Sequence, residues 1–161
     1  MATNLKLVRA ISIQGIYEGS ADLESAVSRI RQVWSHQYVD GTDPGEANTI
    51  WADTLTLNGQ SSLDLTGGLT DRWGTALTFT KMCDILIANR APNSNIIGLS
   101  VSGNFTGAMF GNSIAVRSGG IVCMSSPYQP VTVTNASTDT ITFDTDDDEA
   151  YDVDVILIGI R

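Results

Sequence analysis

The chain has 161 residues and a formal net charge of −9, and its 17% charged residues fall below the roughly 25% typical of globular domains. Its length suits one domain with a sizeable core, and so anionic a surface repels phosphate backbones and acidic lipid heads, which excludes nucleic acid and membranes as partners. No apolar window approaches the roughly 18 residues of a membrane-spanning helix, and no signal-type apolar stretch follows Lys6 and Arg9, so the chain is expected to be made and kept in cytoplasm.

Taken in order, residues 5–13 place Leu5, Leu7, Ile11 and Ile13 on one side of an extended chain, with Arg9 as the exception. That is a strand or an extended arm. From Ser20 to Trp34 the rhythm changes: Leu23, Val27, Ile30 and Trp34 recur at spacings of four, three and four, which predicts a short N-terminal helix. Gly, Asp and Pro at 40–45 predict a loop. Beyond it the period is two, in IWADTLTLNG and SSLDL, each stopped by Asn-Gly or Gly-Gly. LTDRWG at 69–74 reads as a turn. TALTFT follows, and then MCDILIAN at 82–89, a nearly continuous apolar run of the kind a strand covered on both faces requires. IIGLSVSG, SIAVRSG, GIVCMSS, PVTVTN, DTITFD and YDVDVILIGI complete the series. Short strands separated by turn signals, without helical patterns between them, predict an all-β, mainly antiparallel fold. The expected form is a β-sandwich or jelly-roll-like barrel, with residues 1–19 as a strand or arm and 20–161 as the domain.

Three features invite a chemical reading. In the acidic stretch at 144–154, Asp144, Asp146 and Asp148 fit positions one, three and five of a calcium loop. Glu149 stands where the turn glycine belongs and Val155 where the bidentate Glu belongs, so the template fails and a solvated hairpin loop is expected. His36 is the sole histidine, which leaves no multi-histidine metal site and, with no nucleophile signature, no triad. GNFTGAMFGNS at 103–113 lacks the Lys-Ser/Thr of a phosphate loop and reads as an ordinary loop. The sequence therefore predicts no enzyme, no cofactor and no metal. Cys83 and Cys123 sit among apolar neighbours, as free thiols do. Trp34 and Trp51 are in phase with apolar residues and read as core or interface anchors, whereas Trp73 lies in a turn and is expected to be exposed.

The run Ala47 to Asn89, with W-x-D-T-x-T-L, then L-D-L-x-G-x-L-T-D-x-x-G-x-x-x-T-F and K-x-x-x-I-x-I-x-N, resembles a group of small tailed-bacteriophage virion proteins. RSGGIVCMSSP at 117–127 and YDVDVILIGIR at 151–161 are similar to later blocks of that group, in the same order. The resemblance implies a capsid decoration, or cement, protein on the outer surface of the virion head, made in the host cytoplasm and bridging major capsid protein subunits. A homo-oligomer, preferably a homotrimer, would match a local symmetry axis of the shell. The expected partner contacts are Leu5, Lys6, Leu7 and Arg9 of an arm that could add as a strand to the shell, together with Arg72 and Trp73. The alternative is a tail or fibre adhesin binding host glycan through Trp73, Tyr128 and the acidic loop.

Overall fold

A computed structural model of the protein describes residues 5–21, 24–90, 99–111, 113–145 and 150–161. The first two strands, β1 (Lys6–Ala21) and β2 (Glu24–Val39), pair only with each other, antiparallel and in unbroken register from Lys6 opposite Val39 to Ala21 opposite Glu24. After them come β3 (Thr49–Leu57), β4 (Ser61–Asp64), β5 (Leu69–Thr70), β6 (Ala76–Leu77), β7 (Lys81–Asn89), β8 (Leu99–Ser102) and α1 (Asn104–Phe110). The chain continues with β9 (Ile114–Val116), β10 (Ile121–Ser125), β11 (Val131–Thr132), β12 (Thr140–Thr145) and β13 (Tyr151–Ile160).

Apart from β5 and β6, which pair with each other, the strands after β2 form two antiparallel layers. The larger runs β10-β7-β13-β3, with β11 also on β7; the smaller runs β4-β12-β8-β9. Alternation explains how they meet. On β13, Val153, Val155 and Leu157 are fully buried while Asp152 is exposed, so one face of the strand turns to the core and the other outward. Opposite them, Val101, Ile141 and Phe143 of the smaller sheet join Ile85 and Ile87 of β7 in one continuous apolar core. The fold is the expected all-β sandwich, and among the described residues neither sheet closes into a barrel. MCDILIAN behaves as a strand covered on both faces, since β7 lies between β10 and β13 and Met82 to Ile85 are all buried.

Three local expectations are corrected. The predicted helix over 20–34 is strand at its described positions, with residues 22 and 23, Leu23 of the predicted stripe among them, outside the described residues: β2 finds sixteen partners on β1, and the β-branched Ile30 and Val33 suit that ribbon better than a helix. The paired strands of the arm are therefore Lys6–Ala21 and Glu24–Val39. The 103–113 stretch is not all loop, because Phe105 and Thr106 are buried and anchor α1, which Gly111 ends in the left-handed conformation at φ 81°. Gly103 is required before it: at φ 111°, any Cβ would collide with the Thr140 carbonyl. Finally, β12 and β13 belong to different sheets, so the acidic stretch joins the layers instead of closing a hairpin. Its residues 146–149 lie outside the described residues.

One polar clamp ties α1 to the smaller sheet. Asn104 Oδ1 accepts from the amides of Asp139 (2.9 Å) and Thr140 (2.6 Å), while its Nδ2 donates to Asp139 Oδ1 at 3.0 Å. The Ala136 amide donates to Asp139 Oδ2 at 2.6 Å. These bonds, Asn104 first, hold the Asp139 carboxyl below its ordinary pKa. A depressed folded-state value means that the clamp's contribution is complete above the unfolded value of about 4 and is lost as pH falls through the folded value. Asp139→Asn is therefore expected to lower the urea midpoint at neutral pH and to flatten its decline on acidification. An unchanged acid limb would show that the clamp does not matter to stability.

Candidate interaction surface

The arm has two faces because residues opposite one another in an antiparallel pair point the same way. Leu7 with Tyr38, Arg9 with His36, and Ile11 with Trp34 share one face, followed by Ile13 with Gln32 and Gly15 with Ile30. The root of this face is packed onto the outward side of the larger sheet. Tyr38, Ala47, Cys83 and Ile158 form a small second core there, with Leu5, Leu7 and Ile156 against it.

A register shift makes room for that core. Ile158 stands opposite Asp84 and Gly159 opposite Met82, which leaves Cys83 as the extra residue on β7. Asp84, 3% exposed, then meets Arg9 of the arm, Nε to Oδ2, at 3.2 Å. Neither Asp84 oxygen, Arg9 Nε nor the buried Tyr38 hydroxyl makes a hydrogen bond of good geometry, so charge and packing hold the cluster. Burial, and then the Asp84 carboxylate, push the Tyr38 phenol far above its ordinary pKa. The same causes push the Cys83 thiol up to about 11. His36 Nε2 donates to the Gly45 carbonyl at 2.9 Å, and its ring meets Tyr38 and Tyr128 edge-on at 4.5 and 5.4 Å. The single histidine braces the arm's root.

Leu5, Leu7 and Arg9 are thus partly buried at the arm's root, whereas Lys6 is exposed. Farther out the ribbon leaves the body. Trp34 is 49% exposed, Ile13 57% and Ile30 62%. Trp51, by contrast, is a core residue whose Nε1 donates to the Thr70 carbonyl at 3.1 Å.

Arg72 and Trp73 occupy a separate corner between β5 and β6. Asp71 Oδ1 accepts from the amides of Trp73 (2.9 Å) and Thr75 (2.8 Å), its own amide donates to the Thr75 carbonyl, and Gly74 takes φ 81°. The turn is rigid and its tip is apolar: Trp73 is 78% exposed, with the Arg72 guanidinium 5.9 Å from its ring centre. Beside it runs a groove of about 650 Å³ lined by Ile50, Asp53 and Asp71 among others.

Both cysteines are free, Cys83 buried and Cys123 half-buried. Among the described residues no cluster of three or more His, Cys, Asp or Glu is placed to hold a metal ion, and no helix is long and apolar enough to cross a membrane. No family model, curated protein or solved structure matches the chain.

Proposed function

We propose that the protein is a non-enzymatic capsid decoration protein that seats its 71–74 corner on the outer surface of a tailed-phage head and bridges neighbouring major capsid subunits. The observation that carries this reading is the corner itself: a large aromatic ring is held out in water by a turn whose amides are tied to Asp71. A preformed aromatic anchor beside an arginine loses little conformational freedom on docking, which is what interface hot spots share. The resemblance to virion proteins supports the choice of partner, since its L-T-D-x-x-G block includes this turn.

Trp73→Ala is expected to weaken co-sedimentation with empty shells of the encoding phage by about thirty-fold or more, the hot-spot range, while leaving the unfolding midpoint unchanged. Equal binding by wild type and variant would remove the corner from the interface. The groove beside Trp73 supports a second reading, an adhesin that stacks a host sugar on the indole. A glycan-array signal lost in the same variant, without shell binding, would select that reading.

A further inference from the structure

The arm and the sheet it leaves carry two apolar surfaces that do not cover each other. On the outward side of the larger sheet, the arm's root sits on the row that contains Ile158, Asp84 and, opposite Asp84, Ser125. The next row, Ala52, Ile156, Leu86 and Cys123, is only partly covered, and Ile121 beyond it is 67% exposed. The arm does not turn along these rows. Its Ile11 and Trp34 lie near Ser125, Pro127 and Tyr128, beside the β10 edge, and beyond them Ile13 and Ile30 are exposed. Its strands of 16 residues reach roughly 50 Å at about 3.3 Å per residue.

Two observations choose the occupant. First, the arm's root shows that this side of the sheet accepts this face of the ribbon, with an arginine on an aspartate at the centre. Secondly, charge is divided between the parts. Residues 1–39 hold four Lys/Arg and three Asp/Glu, whereas residues 40–161 hold five and fifteen. Two bodies repel one another, but a slightly basic arm and an acidic body attract. Donor and acceptor are different surfaces, so the contact runs head to tail and can close into a ring.

We infer that the distal arm of one copy lies across the larger sheet of a second copy, with Ile13, Ile30 and Trp34 seated beside Leu86, Ile121 and Ile156. Arm exchange of this kind can close the protein into a cyclic oligomer. The inference stands apart from the virion reading, because it concerns the purified chain alone.

The test uses the full chain in sedimentation velocity over a concentration series. Wild type is expected to associate. Ile30→Asp with Trp34→Asp (donor-dead) and Leu86→Asp with Ile121→Asp (acceptor-dead) should each weaken association about thirty-fold or more, with unchanged circular dichroism. An equimolar mixture of the two retains one intact arm–sheet pair and should form dimers that neither variant forms alone. Ile30→Cys should also form a disulfide to the native Cys123 of another copy, and Cys123→Ser should abolish it. A wild-type chain that stays monomeric, a mixture that does not dimerise, or a bond from Ile30→Cys to Cys123 within one copy would each overturn the inference.

Discussion

Asp84→Ala, made in a Cys123→Ser background, is expected to expose Cys83 to a thiol reagent about a hundred-fold faster than in the parent. Cys83 lies fully buried under the arm's root, so the reagent reaches it only when the root lifts. The Arg9 and Asp84 side chains are 18% and 4% exposed, and breaking such a pair by removing one partner costs about 3 kcal/mol, because the remaining charge stays buried and unpaired. At 1.4 kcal/mol per factor of ten, that loss raises the open population roughly a hundred-fold. Removing Asp84 also takes away a negative charge that helps to hold the thiol protonated. A second variant separates the two effects. Arg9→Met with Asp84→Leu lacks the same carboxylate yet replaces the pair by packed apolar volume, so it should restore most of the protection. Fast reaction in both variants would mean that the ion pair does not hold the arm down.

Gly159→Ala is expected to lower the unfolding free energy by about 3 kcal/mol, which for a chain of this size lowers the melting temperature by roughly 6–12 °C. Gly159 follows the register shift on β13, and a methyl group there would collide with the Lys81 carbonyl and come within 2.9 Å of the Phe79 ring. A side chain could rotate away. The carbonyl belongs to the β7 ladder and cannot move without loosening the sheet's centre. Gly107 in α1 is the matched control, with nothing within 4 Å of an added Cβ, and Gly107→Ala should be neutral or slightly stabilising. Calorimetry on the two variants decides it, and equal melting temperatures would contradict the collision.

Most of the sandwich was legible because its strands obey one physical rule, alternation or full apolarity between glycine-rich turns. The arm's second strand was not. Leu23, Val27, Ile30 and Trp34 match a helical stripe, and the competing period-two signal, Trp34, His36 and Tyr38 separated by Ser35 and Gln37, covers only five residues. What decides between them is the partner strand β1, a long-range contact that no local window contains. Of the interaction surface, the Trp73 turn could be read from LTDRWG, since aspartate and glycine fix that geometry locally. The anchor at the arm's root left two traces, each puzzling alone. Arg9 broke an apolar alternation and Asp84 broke an apolar run, and the structure shows that each answers the other.

The central position of β13 also constrains the order in which the molecule can be made. This strand separates β3 from β7, yet it is synthesised after both, with more than sixty residues between β7 and its own first residue. A ribosome-bound chain can zip the arm at once, because β1 and β2 are neighbours in sequence. The larger layer must wait, with two strands holding open edges for a partner not yet translated. Slow, late closure is the expected folding behaviour, and any truncation before Tyr151 should yield aggregates in place of a smaller folded protein.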